Sequence, residues 1–465
     1  MDKNKGSFTG QIGFVLAAAG SAVGLGNIWR FPYLAAKDGG GAFIFIYLIL
    51  ALTFGFTLLT TEIAIGRKTR LSTIKAFEKL KSNWKWVGVL GCLVPFIIYP
   101  YYCAIGGWVT KYLLVFLAGD GVAAAGDKFF GGFITSQYSP IVLLTFFLGC
   151  SGILVAQGVD KGIEKSSKYI MPILILLVVI ISLFSLSLSH TQNGITRTGM
   201  EGLKILLVPD FTGYTGTKLI SVIIDAMGQL FFSISVAMGI MVSYGSYVRN
   251  EENLVQGVNH IEFFDTLVAF LAGVMIIPAV YTFMGTDGLK FAGPGLMFVA
   301  LPKVFASMSS LGNWMGILFF ALVFFAALTS AMSVLEAVVG NMMDCFHMTR
   351  KKAVLIESII GWLLGVVVCL GYNIFYFEVT LPTGSVGQVL DIMDYLSNNI
   401  FMPLVGLGTS LLFGWVLGPK MILDEVTKNG ETFNRRAIYM ITLKYVAPVL
   451  LFVLLLQSSG FMPKF

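Results

Sequence analysis

Eleven apolar stretches, each of about 20 residues or more, follow one another along the chain with short polar segments between them. A stretch of this length and character predicts a helix that crosses the hydrocarbon core of a membrane. We number the predicted spans 1 to 11 in chain order: 11–36, 41–66, 86–118, 139–157, 163–188, 217–248, 254–283, 311–344, 352–371, 388–417 and 436–458. The loop 284–309 is also apolar, and we expect a re-entrant or capping hairpin there. The pattern predicts an all-α polytopic membrane protein that forms a single domain over residues 1–465.

Composition agrees with a membrane protein and argues against an enzyme. Hydrophobic residues make up 56% of the chain and charged residues only 12%, whereas soluble domains carry roughly 25% charged residues. The five cysteines stand singly, without the spacing of a disulfide framework or a metal site. No nucleophile–base pair, metal-ligand set or nucleotide-binding loop is apparent. The net charge of +6 lies in short loops, so it indicates membrane orientation and no nucleic-acid partner.

Lysine and arginine concentrate in alternate loops, which sets the predicted orientation because such loops stay on the cytoplasmic side. The basic loops follow spans 2, 4, 6, 8 and 10 (residues 67–85, 161–168, 249, 350–352 and 420–436). The N-terminus, with Lys3 and Lys5, is therefore predicted to be cytoplasmic, and the C-terminus after eleven spans extracytoplasmic. No signal-peptide cleavage site follows the first apolar stretch, so we expect span 1 to be retained in an inner or plasma membrane.

Span 1 is interrupted near its middle by residues that do not suit a lipid-facing helix. Gly20, Gly24 and Gly26 fall within seven residues, and Arg30 follows. Each glycine weakens a helix by about 1 kcal/mol relative to alanine, and a cation within the membrane must face protein or water. The alternative is a close helix–helix contact, because Gly20 and Gly24 also fit the small-xxx-small pattern.

Span 6, five spans later, carries a matching polar interruption at Gln229, Ser233, Ser235 and Gly239. Paired interruptions in corresponding spans are typical of transporters built from inverted repeats, in which broken helices form the binding site. We therefore predict a first five-helix repeat over 11–188, a second over 217–417, broken helices 1 and 6, and an additional helix at 436–458.

Two further polar features lie within predicted spans. Thr329, Ser330 and Ser333 in span 8 offer hydroxyl oxygens to a small hard cation, although such hydroxyls often bond to their own helix backbone. Asp265 in span 7 is an intramembrane carboxylate, which marks a functional site unless it reaches the nearby cytoplasmic surface.

The string AAAGSAVGLGNIWRFP at residues 17–32 resembles the neurotransmitter:sodium symporter family. Further matching strings follow in order along essentially the whole chain: residues 39–43, Glu62 with 66–67, 161–164 with Pro172, 228–233, 246–247 and 328–330. The resemblance implies a LeuT-like fold and sodium-coupled symport of a small molecule by alternating access, with two sodium ions beside the substrate.

The family's ion sites carry over to residues of this sequence. The first sodium site maps to Ala22, Asn27, Ser233 and Asp265, and the substrate carboxylate completes it. The second sodium site maps to Gly20, Val23, Ala326, Thr329 and Ser330. A shared carboxylate contact would make ion and substrate bind cooperatively.

The substrate that the resemblance implies is a neutral, mostly apolar L-amino acid. Gly24 stands where monoamine carriers have an aspartate, so the substrate should bring its own carboxylate, to which Tyr102 would donate. The substrate-binding residues that follow are Ala22, Gly24, Gly26, Ile98, Tyr102, Phe232, Ser233, Ser235, Met238, Ser330, Ser333 and Val334. None of them is charged, and pocket shape alone does not identify the amino acid.

Gates and chloride dependence follow from the same resemblance. Arg30 with Asp394 would close the outer side, and Lys5 with Asp344 and Tyr247 the inner side. Chloride-dependent relatives have a neutral residue where this chain has Asp265, so transport is expected to be chloride-independent, with a proton carried by Asp265 as a weaker possibility. The alternatives are a proton-coupled carrier, an ion channel or a non-transporting amino-acid sensor on the same scaffold, and the oligomeric state is left open.

Overall fold

The computed structural model describes residues 6–192, 194–308 and 310–461 of the chain. Within these residues, nine helices are long and apolar enough to cross a membrane. They are Gly41–Thr69, Ser82–Leu117, Ser139–Ala156, Val159–Ser187, Leu254–Gly288, Leu311–Phe346, Arg350–Leu370, Val389–Val416 and Arg436–Ser458. They correspond to predicted spans 2 to 5 and 7 to 11, and the apolar runs were therefore sufficient to locate them.

Span 1 is a bent pair of helices instead of one continuous helix. The helices Gln11–Ala22 and Gly26–Lys37 meet at an angle of 51°, with Val23, Gly24 and Leu25 between them. Counting this pair as one span gives ten within the described part of the chain. The glycines at positions 24 and 26 lower the cost of leaving the helix at this point.

Residues 217–248, predicted as one span, form two separate helices. Gly216–Ser233 and Ile240–Tyr247 are joined by the non-helical residues 234–239. Ser235, Ala237 and Gly239 all have positive φ angles, of 54°, 60° and 68°, a region that residues with a side chain seldom adopt. By length and composition this pair is not among the candidate spans, so the count of eleven remains a prediction.

Shorter elements connect the spans. The short helices between spans include Thr73–Leu80, Gly121–Ala124, Phe129–Ile134 and Lys420–Val426. The strands Ser189–Gln192 and Ile195–Thr198 form a hairpin before helix Gly199–Leu207, which begins with a capping box between Thr198 and Glu201. A second hairpin pairs Val379–Thr380 with Val386–Gly387.

The apolar loop 284–309 is mostly helical. After a kink at Gly285, the chain forms Gly293–Gly295, Leu296–Ala300 and Leu301–Ala306. Tyr112 of span 3 donates a hydrogen bond to the carbonyl of Phe298 at 2.7 Å, and Phe298 is buried. The segment therefore folds back onto the helices, as its apolar composition predicts.

Span 2 and the second helix of span 6 pack with their backbones in contact. A Cβ atom on Gly66 would lie 2.0 Å from the carbonyl oxygen of Val242, and one on Gly245 would lie 2.3 Å from that of Ile63. Only glycine permits so close an approach. The contact fixes Ile240–Tyr247 against span 2 and so determines the position of the interruption before it.

Candidate functional site

Asn27, Ser233 and Asp265 come together beside the two helix interruptions, and all three are buried. The Asn27 Nδ2 donates to Ser233 Oγ and to Asp265 Oδ1, in both cases at 2.8 Å, and Ser233 Oγ donates to the same Oδ1 at 2.7 Å. Tyr47 of span 2 donates to Asp265 Oδ2 at 3.3 Å. Three of the residues predicted for the first sodium site thus form one polar cluster, which we call the carboxylate cluster together with Tyr47.

The local backbone explains why Asn27 points into this cluster. Its Oδ1 accepts from the backbone N–H of Gly24 at 3.1 Å, within the interruption of span 1. Gln229 of span 6 donates to the carbonyl of Gly26 at 3.0 Å. Side chains therefore bond to two of the backbone groups at the interruption, which lowers the cost of burying them.

The hydroxyls of span 8 divide between two kinds of contact. Thr329 Oγ1 donates to the carbonyls of Phe325 and Ala326 at 3.1 Å, which is the local bonding that the sequence left open as an alternative. Ser330 Oγ donates instead across to the Ser21 carbonyl at 3.1 Å. A Cβ atom on Gly20 would lie 3.4 Å from Thr329 Cβ, so the two halves of the predicted second sodium site face each other.

A small cavity of about 20 Å³ lies between spans 1, 3, 6 and 8. Its lining includes ten of the twelve predicted substrate-binding residues: Ala22, Gly24, Gly26, Ile98, Tyr102, Phe232, Ser235, Met238, Ser330 and Val334. Ser21 is its remaining lining residue, and no lining side chain is charged. Its volume corresponds to about one water-sized sphere.

Two predicted substrate-binding residues do not line this cavity. Ser233 is turned into the carboxylate cluster, where it bonds to Asp265. Ser333 lies one helical turn beyond Thr329 and donates to its carbonyl at 3.0 Å, while its Oγ also lies 2.7 Å from Tyr244 Oη. Helical periodicity turns Ser333 away from the cavity, whereas Ser330 and Val334 face it.

Glu62 of span 2 is a site residue that the sequence did not single out for a role. Its Oε1 accepts from the backbone N–H of Ala237 at 2.7 Å, in the left-handed stretch of span 6. The other carboxylate oxygen, Oε2, is buried without a hydrogen-bond partner. Since no side-chain motif marks a contact to a backbone N–H, only the position of Glu62 among the family's matching strings pointed to it.

A wider cavity of about 440 Å³ lies on the side of Phe232 predicted to be extracytoplasmic. We call this wider cavity the vestibule. Phe232 lines both the vestibule and the small cavity, so its ring separates them.

The predicted outer gate lies beside the vestibule, which Arg30 also lines. Asp394 accepts hydrogen bonds from Tyr101 at 3.1 Å and from Asn398 at 2.6 Å. Among the described ion pairs none joins Arg30 to Asp394, so the predicted outer gate is not closed by direct contact.

Tyr247 and Asp344 of the predicted inner gate lie on the opposite side, together with Glu336 and Arg350, which the sequence did not assign to a gate. Tyr247 Oη donates to Glu336 Oε1 at 2.6 Å, and Arg350 binds both oxygens of Glu336, at 2.5 and 3.0 Å. Asp344 accepts from the backbone N–H of Ser72 at 2.6 Å. Lys5, its predicted gate partner, lies outside the described residues.

Comparison with known proteins identifies the family. The chain matches the model of the Sodium:neurotransmitter symporter family over residues 5–120 and 136–463. The chain belongs to this family. It is 34% identical over 460 residues to the uncharacterized sodium-dependent transporter YhdH of Bacillus subtilis (strain 168), covering 97% of each chain. An uncharacterized sodium-dependent transporter of Haemophilus influenzae is 31% identical over 478 residues, with 98% and 99% covered.

A solved structure of the family agrees with the fold. The crystal structure of MhsT in complex with L-phenylalanine superposes with a TM-score of 0.85 at 34% identity, covering 98% of this chain and 100% of MhsT. The human sodium- and chloride-dependent GABA transporter 2 is a more distant relative, 24% identical over 477 residues. The chain is therefore a membrane-embedded sodium-coupled symporter and not an enzyme.

The symporter's small cavity leaves no room for a side chain at position 24. A Cβ atom on Gly24 would lie 2.6 Å from Ser330 Oγ and 3.2 Å from Tyr102 Oη. We expect Gly24→Ala to weaken substrate binding by about fivefold or more, because a misplaced methyl costs roughly 1–3 kcal/mol. Binding of labelled substrate to purified protein checks this. Gly149→Ala, at a helical position with open space around the added methyl, is the control, and equal losses in both variants would contradict the prediction.

The Glu62 contact should matter more for its acceptor oxygen than for its charge. Glu62→Ala leaves the Ala237 N–H buried and unpaired, which costs about 1–3 kcal/mol, so we expect substrate affinity to fall about fivefold or more. Glu62→Gln retains an acceptor and should bind within about threefold of the native protein. The two variants are compared in the same binding assay, and an equally large loss in both would show that the carboxylate charge is required.

Proposed function

We propose that this symporter carries a neutral, mostly apolar L-amino acid together with two sodium ions, without a requirement for chloride. The observation that supports the substrate class is the cavity itself, whose lining has no charged side chain and includes Tyr102 as a hydroxyl donor. The phenylalanine complex of MhsT, a relative of the same fold, adds support. Tyr102 would bind the substrate carboxylate, and the backbone of the interrupted spans would bind its ammonium group.

The first sodium ion is proposed to bind at the carboxylate cluster. Asn27, Ser233 and Asp265 supply oxygens of the kind a small hard cation prefers, and the Ala22 carbonyl would complete the site with the substrate. At present the Asn27 amide N–H and the Ser233 hydroxyl both donate to Asp265 Oδ1. Sodium binding would require Asn27 to present its Oδ1 and Ser233 to redirect its proton.

The second sodium ion is proposed to bind between spans 1 and 8, at the carbonyls of Gly20, Val23 and Ala326 and the hydroxyls of Thr329 and Ser330. The end of helix Gln11–Ala22 presents carbonyl groups that have no partner within the helix. Their partial negative charge favours a cation. The span 8 hydroxyls lie across from this helix end, as the Ser330–Ser21 bond illustrates.

Thr329→Val tests the second ion site with little change of shape. Loss of one hydroxyl ligand should lower sodium affinity by about tenfold, since a hydrogen bond or ligand contact to a charged group is worth roughly 1.5–3 kcal/mol. Thr53→Val is the matched control, because Thr53 of span 2 lies away from the proposed ion site and its Oγ1 also donates to its own helix. Sodium titrations of substrate binding compare the two, and an unchanged sodium affinity in Thr329→Val would remove Thr329 from the site.

Alternating access is proposed to proceed between the open vestibule and the closed opposite face. The vestibule would close as Arg30 approaches Asp394 above Phe232, and the opposite face would open as the contacts of Glu336 and Asp344 separate. We propose that the N-terminus is cytoplasmic and the C-terminus extracytoplasmic, and that spans 1 to 5 and 6 to 10 form inverted repeats.

The deciding experiment is binding of a panel of labelled L-amino acids to purified protein, with Na⁺ or K⁺ as the only cation. Binding of a neutral amino acid in Na⁺ alone is the expected result. Uptake of that amino acid into sodium-free vesicles, with Na⁺ or K⁺ in the external buffer, then separates a symporter from a sensor, which binds without transport. Binding that is indifferent to sodium would overturn the assignment of Asn27, Asp265 and Thr329 as ion ligands.

A further inference from the structure

A membrane-facing groove of about 430 Å³ runs between spans 2 and 7. Its walls are apolar side chains that are exposed on the outer surface of the protein, among them Leu48, Leu52 and Phe263 at 37%, 52% and 59% exposure. Its floor is formed by the buried rings of Phe31 and Tyr47. The groove is separate from the substrate cavity and the vestibule, with which it shares no lining residue.

A polar cleft of about 300 Å³ adjoins one end of this groove. Asn259 and Arg435 line both spaces, so they are contiguous. The cleft contains the amide side chains of three further residues and a hydroxyl: Asn253, Gln256, Asn434 and Thr432. Arg435 stands directly before span 11, which places the cleft at the membrane surface predicted to be cytoplasmic.

The dimensions of the groove match one leaflet of a bilayer. Along span 7 it extends from Asn259 to Phe270, a distance of about 16 Å at the helical rise of about 1.5 Å per residue. Half the hydrocarbon thickness of a membrane is about 15 Å. An acyl chain whose headgroup lies at Arg435 would therefore reach Phe31 and Tyr47 near the middle of the membrane.

The charges at the junction indicate the kind of headgroup. Arg435 is the single charged residue that lines the cleft, and its guanidinium is paired with Glu262 at 2.9 Å and lies 3.7 Å above the Phe56 ring. The pair has no net charge, so it offers one cationic and one anionic partner. Asn259 Oδ1 already accepts from Arg435, and Asn253 Oδ1 accepts from the Gln256 backbone N–H. The exposed amides of Gln256 and Asn434 offer acceptor oxygens to an N–H donor, which an ethanolamine ammonium has and a choline group lacks.

We propose that this groove and cleft together form a binding site for one phosphatidylethanolamine molecule. Its acyl chain occupies the groove, its phosphate lies toward Arg435, and its ammonium group bonds to Glu262 and the cleft amides. The bound lipid supports the carboxylate cluster, because Phe31 and Tyr47 stack edge-to-face at 5.1 Å and Tyr47 donates to Asp265. This second effect rests on the proposed first sodium site, whereas the lipid site itself does not.

Lipid retention tests the site directly. The full-length protein is reconstituted in vesicles of equimolar phosphatidylethanolamine, phosphatidylcholine and phosphatidylglycerol, extracted, and weighed by native mass spectrometry. We expect one retained phosphatidylethanolamine per chain.

The double variant Leu48→Trp, Leu52→Trp fills the groove and should reduce the lipid-bound fraction by about tenfold. Ile49→Trp is the control, because Ile49 is exposed on the same helix and does not line the groove. Equal retention in both variants, or retention of another lipid class in its place, would overturn the proposal.

Sodium titrations in nanodiscs test the effect on the carboxylate cluster. The native protein should lose about threefold or more in sodium affinity when phosphatidylethanolamine is replaced by phosphatidylcholine, and the groove-filling variant should respond to neither lipid. Retained lipid with a sodium affinity that ignores lipid composition would overturn the coupling alone. Substrate binding that ignores sodium in every lipid would instead overturn the proposed function, and the retention assay would still decide the lipid site.

Discussion

The Asp265→Asn variant will bind substrate about 100-fold more weakly in chloride-free sodium buffer than the native protein. Removal of a buried charge that neutralises a bound cation costs about 3 kcal/mol. Asp265 Oδ1 is the common acceptor of Asn27 and Ser233, and its Oδ2 accepts from Tyr47, so the loss affects every side chain of the carboxylate cluster. Asparagine has nearly the same size, which limits the change to charge and hydrogen bonding.

Chloride distinguishes a lost charge from a damaged site. If the carboxylate supplies the negative charge that balances sodium, added chloride should raise the substrate affinity of Asp265→Asn by at least about tenfold. The substrate affinity of the native protein should not change with chloride. Equilibrium binding at fixed sodium, with chloride exchanged for gluconate, measures both. Asp287→Asn, an exposed carboxylate paired with Lys290, is the control. A substrate affinity of Asp265→Asn that equals that of the native protein and does not change with chloride would contradict the proposal.

Three of the residues that the sequence predicts for the first sodium site lie together in the structure. Asn27, Ser233 and Asp265 are polar residues in apolar spans, where a polar group is costly and therefore informative. The spans themselves were readable because hydrophobic length is a direct physical requirement of the bilayer. A polar residue within an apolar span and the length of an apolar run can both be read directly from the sequence, because neither depends on contacts between distant residues.

The interruption of span 6 is less visible because its backbone departs from what its residues prefer. Ser235 and Ala237 adopt positive φ angles, which residues other than glycine adopt only where surrounding contacts enforce it. The Glu62 carboxylate supplies such a contact from span 2. The polar residues of span 6 predict a break in the helix, but they do not predict the left-handed backbone at Ser235 and Ala237, which depends on this contact across the fold.

Arg350, on the side of the protein opposite the vestibule, makes a second contact that the sequence pattern does not predict. In the sequence it is one of several basic residues after span 8 and served only to orient the chain. The fold turns span 9 back so that Arg350, its first residue, meets Glu336 of span 8. A partnership between two residues on successive helices depends on the turn between them, which hydrophobic patterning does not specify.

The Glu336–Arg350 pair is expected to hold this face closed. Glu336 is fully buried, and the Arg350 side chain is 11% exposed. Tyr247, at the end of the second helix of span 6, donates to the same carboxylate, and its carbonyl accepts from the Phe8 N–H at 3.2 Å. Arg350→Met leaves a buried carboxylate unpaired, at a cost of about 3–5 kcal/mol, which the protein can relieve by admitting water to this face.

Hydrogen exchange of the N-terminal segment reports that opening, because the Phe8 N–H depends on Tyr247. We expect exchange in residues 6–14 to accelerate about tenfold or more in Arg350→Met, and to be unchanged in the control Lys351→Met, at the exposed neighbouring position. Adding Glu336→Gln to Arg350→Met removes the unpaired charge and should return exchange most of the way to the native rate. The non-additivity of the two substitutions identifies the pair as the closing contact. A double variant that exchanges as fast as Arg350→Met would instead assign the closure to the arginine's packing.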